Sequence, residues 1–281
     1  AIERSRGAEL LLTNKVVLDR SAIEQLPGLR YIGVLATGTN VVDMSAARSR
    51  GIVVTNVPGY ATESVVAHVF GLILELEMRV SELSQAVHAG DWSRAPDFTF
   101  RRGSTLELAT LTLGVVGLGN IGRRVAEVGR AFGMRVLGCS RIGSKRPLPS
   151  GVELTSMDEL FEVADVITLH CPLVPETQHL VNARRLSTMK STAILINTGR
   201  GALVDESALA AALSQERIRG AGLDVLSVEP PPAGHPLLLA PHCIVTPHSA
   251  WSTCAARLRL MQAVTSNVEA FLAGAPTNMV S

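Results

Sequence analysis

The sequence predicts an α/β protein with two doubly wound parallel-sheet domains, one of them inserted in the other. Three observations carry that expectation. Short apolar runs alternate with longer stretches of helical spacing. One run ends in a Gly-x-Gly-x-x-Gly turn that opens a helix. Two long helical stretches, 62–90 and 252–274, flank the block that contains this turn.

Taken in order, "ELLL" (9–12), "YIGVLAT" (31–37) and "GIVVTNV" (51–57) read as strands, followed by the first long helical stretch. Residues 91–111 are irregular and of mixed character. Then come six more apolar runs: 112–119, 135–140, 165–170, 193–198, 220–225 and 243–248. Between them "GRRVAEVGRAFG", "SMDELFEVA", "NARRLSTMK" and "ESALAAALSQER" have helical spacing, with helix-start residues such as Ser156 and Asn182. Such alternation makes βαβ units and a parallel sheet covered on both faces.

The expected domains are residues 1–87, the first part of one domain; 88–252, a dinucleotide-binding domain; and 253–281, a helix returning to the first. Three strands are few for a doubly wound sheet, and "AIERSRGAE" reads as the end of a helix. A βαβ-sized N-terminal piece of about 30 residues is therefore expected to be missing from the sequence.

Composition narrows the class of function. Lys plus Arg number 26 and Asp plus Glu 25, so no net field draws the chain to nucleic acid or membrane. Arg, Glu or Gly interrupts each apolar run before it could span a bilayer, and the charged residues 1–9 do not read as a secretory leader. Cys139, Cys171, Cys243 and Cys254 show no CxxC spacing and read as reduced, mostly buried thiols of a cytoplasmic protein. The pairs His170–Cys171 and His242–Cys243 are not expected to hold a metal, because adjacent strand residues face opposite sides.

"VVGLGNIGRRVAEVG" carries Gly117, Gly119 and Gly122. The first permits a tight turn, the second lets backbone approach a pyrophosphate, and the third lets helix and strand pack closely. Asn120, Ile121 and Gly122 then offer a helix N-terminus to the phosphates. About 20 residues on, NAD-binding folds of this kind place an acid for the ribose 2′-hydroxyl. Here the strand ends in Ser140 and Arg141, with Lys145 and Arg146 close behind. A serine hydroxyl and a guanidinium favour a 2′-phosphate, hence NADP(H) over NAD(H). The alternative is a solvated basic loop around a cofactor without that phosphate.

In open α/β sheets, ligands bind beyond the carboxyl ends of the strands. There the sequence presents Arg200 in "TGRG", Glu229 before "PPP" and His248 in "TPHSAW". A forked cation, a carboxylate and an imidazole suit hydride transfer to a 2-oxo acid. Arg200 clamps the substrate carboxylate, His248 gives the carbonyl oxygen its proton, and Glu229 fixes the tautomer of His248. A nicotinamide carries the hydride.

With "GLGNIG", "NTGRG", "GLDV…EP" and "TPHSAW" in this order, the chain resembles the D-isomer-specific 2-hydroxyacid dehydrogenases. "LATGTNVVD" and "GIVVTNVPGYATESVVAH" are similar to that family's substrate-domain loops, above all in the glycerate dehydrogenase, or hydroxypyruvate/glyoxylate reductase, branch. The resemblance implies a Rossmann nucleotide domain inserted in a flavodoxin-like substrate domain whose first strands are missing here. It implies the roles given above to Arg200, Glu229 and His248, and backbone N–H groups of Thr37 and Gly38 on the substrate carboxylate. It also implies that Pro172 lies along the cofactor and that Thr198 and Asp224 line its nicotinamide side, with Asp224 near the carboxamide. A homodimer joined through the nucleotide domains and residues 91–111 is implied as well.

One departure is Ala67, where the family often has Glu or Gln before His68. His68 itself reads as a structural helix residue. The expected activity is reduction of hydroxypyruvate or glyoxylate to D-glycerate or glycolate, with NADP preferred and NAD possible. The rival readings are a nucleotide-sensing, corepressor-like binding protein of the same fold, and a dehydrogenase for another substrate such as formate or phosphite.

Overall fold

In the computed structural model, which describes residues 2–103, 105–140 and 147–280, each apolar run expected as a strand forms one. Contacts divide the chain into two units, Ala1–Ala61 with Trp251–Ser281, and Thr62–Ala250.

The first unit begins with β1 (Leu10–Thr13), α1 (Arg20–Glu24), β2 (Tyr31–Val34), α2 (Met44–Ser49) and β3 (Val53–Thr55). Its three strands are parallel, in the order β1-β2-β3. The short helices were not anticipated from periodicity, since five or six residues show little of it. Side chains fix their starts: Asp19 accepts from Ala22 N and Asp43 from Ala46 N. Ile23, Ala47, Ile32 and Val54 form the core between helices and sheet. Burying each of the Ile and Val side chains contributes about 1.5–3 kcal/mol.

The second unit runs α3 (Thr62–Met78), α4 (Val80–His88), β4 (Thr112–Val116), α5 (Asn120–Ala131), β5 (Arg135–Cys139), β6 (Val152–Leu154), α6 (Met157–Val163), β7 (Val166–Leu169), α7 (Ala183–Thr188), β8 (Ile194–Asn197), α8 (Glu206–Ser214), β9 (Gly220–Leu223), α9 (Pro236–Leu239) and β10 (Cys243–Val245). The chain then returns to the first unit as α10 (Cys254–Leu272). The seven strands are all parallel, in the order β10-β9-β8-β7-β4-β5-β6. From β4 the chain winds to β5 on one side and later to β7 on the other, so the crevice beyond these strand ends is the topological switch point. Every residue of β7, β8 and β9 is buried, as continuous apolar strands in a sheet covered on both faces must be.

Two features differ from the pattern read in the sequence. The stretch 62–90 breaks into α3 and α4 at Arg79, a non-glycine residue at φ +53°. Side chains hold the break: the Glu75 carboxylate accepts from Ser81 N, and the Arg79 guanidinium pairs with Glu82 at 2.6 Å. β6 was not expected as a strand, and it is an edge strand with a single buried residue, Val152.

The expected domain boundaries were 87/88 and 252/253, whereas the units divide at 61/62 and 250/251. The reason lies in α3, which packs on α5, β8 and β9 of the second unit. Gly222 of β9 allows that approach, since a Cβ there would lie 3.0 Å from the Leu72 Cβ. Farther along α3, the buried Glu77 pairs with Arg219 at 2.6 Å, just before β9. Burial pushes the Glu77 carboxyl up, and the guanidinium opposes that shift. All four cysteines are free thiols; three are half-buried and Cys254 is exposed. Among the described residues no helix is long and apolar enough to cross a membrane.

Candidate active site

The glycine turn lies beyond β4, against the segment that leaves β7. Gly117 sits at φ +96°, and a Cβ there would lie 2.6 Å from Cys171 N and 2.7 Å from the His170 carbonyl carbon. Its own N–H donates to Cys139 O at the end of β5. A Cβ at Gly122 would overlap the Gly117 carbonyl, so helix and turn meet with no room for a side chain. Gly119 differs, because a Cβ there would meet no atom of the described residues within 4 Å. The open face of the turn thus adjoins the first turn of α5, formed by Asn120, Ile121 and Gly122. Ser140, half-buried, follows β5 directly, and Pro172 is exposed beside Cys171. Arg141, with Lys145 and Arg146, lies outside the described residues.

Three neighbouring strands carry the remaining residues. Asn197 pairs with Leu223 across β8 and β9, and Leu223 with Val245 across β9 and β10, so the three strands end level. Beyond β8, the buried Asn197 side chain folds the next turn: its Oδ1 accepts from Gly199 N at 3.0 Å and its Nδ2 donates to Arg200 O at 2.9 Å. Arg200 leads out of that turn, with Nη1 donating to Gly199 O. Gly201 follows, and a Cβ there would overlap the Leu226 carbonyl and the Ser227 nitrogen. The Arg200 turn is therefore seated on the loop that carries Glu229.

Glu229 joins the third group. Its Oε2 lies 2.6 Å from Nδ1 of His248, and its Oε1 accepts from Leu226 N at 3.1 Å. Glu206 holds the same loop from α8, accepting from both the N–H and the hydroxyl of Ser227 and, at 3.3 Å, from His235 Nε2. His248 itself has φ +51°, a left-handed conformation that histidine adopts sparingly.

Two buried polar atoms in this region, Thr198 Oγ1 beyond β8 and Arg123 Nε in the first turn of α5, have no hydrogen-bond partner among the described residues. Buried polar groups are ordinarily paired, so these ask for an acceptor or donor from outside. Together with the space at Gly119, they make the second unit a fit for a dinucleotide. Thr37 and Gly38 belong to the first unit, where the Asn56 amide donates to Thr37 O and the Thr37 hydroxyl to Val57 O.

Residues 70–250 match the NAD-binding domain of the D-isomer specific 2-hydroxyacid dehydrogenases. The chain belongs to this family. A hydroxypyruvate reductase of Blautia hydrogenotrophica is 40% identical over 280 residues, covering 100% of this chain and 87% of that protein. A glycerate dehydrogenase of Methylorubrum extorquens is 41% identical over 281 residues, covering 99% and 87%. Among solved structures, an acyclic imino acid reductase (Bsp5) in complex with NADPH and D-Arg superposes with TM-score 0.90 at 31% identity, covering 100% of this chain and 88% of that one. The chain is thus an oxidoreductase, a nicotinamide-dependent 2-hydroxyacid dehydrogenase near the glycerate and hydroxypyruvate branch.

In this dehydrogenase the second unit brings Arg200, Glu229 and His248 to one edge of one sheet, together with residues that the motifs did not mark. Asn197, Glu206 and His235 shape the turns on which the trio stands. Asp224, expected near the carboxamide, has both oxygens engaged with the His248 loop: Oδ1 accepts from Thr246 Oγ1 and Ser249 N, and Oδ2 from Ala250 N. Oδ2 keeps a second lone pair for another donor. His68, read as a helix residue, reaches Thr246.

Proposed function

We propose that the chain reduces a small 2-oxo acid, hydroxypyruvate or glyoxylate, to the D-2-hydroxy acid, with NADPH preferred over NADH. The observation that carries the chemistry is the 2.6 Å contact between His248 Nδ1 and Glu229 Oε2. With Nδ1–H donating to that carboxylate, Nε2 is the ring atom left to pass a proton to the substrate. As the carbonyl carbon gains its hydride, the oxygen takes the Nε2 proton, and Glu229 offsets the positive charge of the ring before transfer. Arg200 offers a planar fork to the substrate carboxylate, and its bond to Gly199 O fixes the guanidinium plane. A bound nicotinamide cofactor supplies the hydride. Gly117, Gly119, Asn120, Ile121, Gly122, Ser140, Arg141, Pro172, Thr198 and Asp224 are the residues assigned to hold it.

The preference for NADPH is supported by Ser140, which stands where a carboxylate would repel a 2′-phosphate. The four free thiols fit a reducing compartment, so we place the reaction in the cytoplasm. We also place a homodimer contact on the segment between α4 and β4, where Trp92 and Phe98 are 54% and 83% exposed.

The test is the initial rate of hydroxypyruvate and glyoxylate reduction with NADPH and with NADH, beside the Ser140→Asp variant. A faster wild-type rate with NADPH, reversed toward NADH in the variant, is expected. Equal rates with both cofactors would remove the 2′-phosphate reading. No turnover of either acid with either cofactor would remove the substrate assignment.

A further inference from the structure

The loop Thr246–Ala250 carries His248 in a left-handed conformation, which is strained for a residue with a Cβ. Such a conformation persists only where the surroundings over-determine it. The groups that determine it here come from Asp224, which follows β9, and from α3. Asp224, 1% exposed, grips the loop on both sides of His248: the Thr246 hydroxyl at 2.6 Å before it, the Ser249 and Ala250 N–H groups at 2.9 Å after it. Two side chains of α3, one helical turn apart, complete the grip. The Ser64 hydroxyl donates to Ala250 O, and His68 Nε2 lies 2.9 Å from Thr246 Oγ1.

The direction of the last bond follows from counting protons. The Thr246 hydroxyl has one, and it goes to the Asp224 carboxylate, which accepts only. His68 must then donate from Nε2, so its ring carries the proton there. The result is a directed chain, His68 to Thr246 to Asp224, that ends on the carboxylate holding the two amides after His248. His68 Nε2 also lies 3.5 Å from Asp224 Oδ1, so the three side chains form one compact cluster around the buried carboxylate.

We infer that His68 is a positioning residue for His248. It touches neither substrate nor cofactor in this assignment. It orients the Thr246 hydroxyl, and through it the Asp224 carboxylate, so that the loop presents the His248 ring to Glu229. The inference rests on His248 as proton donor for its kinetic consequence, and on geometry alone for its structural one. A misplacement of about 1 Å at a reacting group can cost about a hundredfold in rate, so the kinetic effect is measurable.

The experiment compares His68→Leu, which removes the donor, with His68→Gln, which keeps an N–H at similar reach. Thr246→Val breaks the same chain from the other end and guards against a variant that fails only by misfolding. Two readouts are taken: kcat and KM for 2-oxo acid reduction, and hydrogen exchange of the Ser249 and Ala250 amides without substrate. His68→Leu and Thr246→Val should lower kcat at least tenfold while cofactor Kd stays within twofold. Exchange of the two amides should quicken at least tenfold, and His68→Gln should recover most of both effects. Wild-type exchange in His68→Leu, or a His68→Gln variant as impaired as His68→Leu, would overturn the inference. If the wild-type protein turned over no 2-oxo acid but His68→Leu still loosened the amides, the proposed substrate would fail and the positioning role would stand.

Discussion

Glu229 Oε2 lies 2.6 Å from His248 Nδ1, while Oε1 of the same carboxylate holds the Leu226 N–H. One side chain thus fixes both the ring and the loop beneath it. Glu229→Gln keeps the shape but can present an N–H to the ring nitrogen, which favours the wrong tautomer. Its kcat should fall about 10²–10⁴-fold, the range for a positioned acid–base group, and His248→Gln should fall at least as far. Cofactor Kd, measured by quenching of protein fluorescence, should not move in either. Near-normal turnover in His248→Gln would take that ring out of the mechanism.

Arg200 gives a separable prediction. Its turn is built by Asn197 and seated on Leu226 and Ser227, so Arg200→Lys should leave the fold intact. An ammonium cannot copy two parallel N–H bonds to a carboxylate. Losing one charged hydrogen bond, about 1.5–3 kcal/mol, should raise KM for the 2-oxo acid about 10- to 150-fold. Steady-state kinetics would show it, and an unchanged KM would refute the clamp.

The glycine turn offers a contrast between two similar substitutions. A Cβ at Gly122 would overlap the Gly117 carbonyl, so Gly122→Ala must distort the turn and should lower Tm as well as cofactor affinity. A Cβ at Gly119 would meet no atom of the described residues within 4 Å. Gly119→Ala should therefore keep the wild-type Tm and yet raise cofactor KM at least tenfold, because the methyl group occupies the path of the pyrophosphate. Unchanged cofactor KM in Gly119→Ala would place the phosphates elsewhere.

These residues also show what a sequence makes legible. The glycine turn was readable because its physics is local: strand, turn and helix lie within some twenty consecutive residues, and Gly117 and Gly122 answer clashes inside that span or with the segment leaving an adjacent strand. The meeting of Arg200, Glu229 and His248 was readable because parallel strands of one sheet end at one edge. His68 was not, since its partner Thr246 is 178 residues away and nothing in the periodicity of a helix says which polar side chain meets a distant loop. The break at Arg79 hid for a related reason. Neither Gly nor Pro marks it, and the side chains of Glu75 and Glu82 that hold it are ordinary helix residues. β6 hid because an edge strand with one buried residue has almost no apolar signal.

His170 gives the prediction about pH. Its Nε2 lies 2.8 Å from Thr168 Oγ1, in the segment packed against Gly117. Desolvation pushes the ring from its ordinary 6.5 down to about 3. In the folded protein the ring therefore stays neutral until pH approaches 3, whereas in the unfolded chain it takes a proton as pH falls through 6.5. Over that window the unfolded state binds more protons, so stability is lost as pH drops, by at most about 1.4 kcal/mol per pH unit. Above 6.5 the contribution is fully present. Because the residue is only half-buried, solvent screening narrows the window and so reduces the total loss. His170→Gln keeps a polar end near Thr168 and cannot titrate. Urea unfolding of both proteins from pH 7.5 to 4.5 separates the effect, since carboxylates contribute equally to the two. The wild type should lose more stability over the window than the variant, whatever their difference at pH 7.5. Parallel pH slopes would mean that the His170 ring titrates as it would in water.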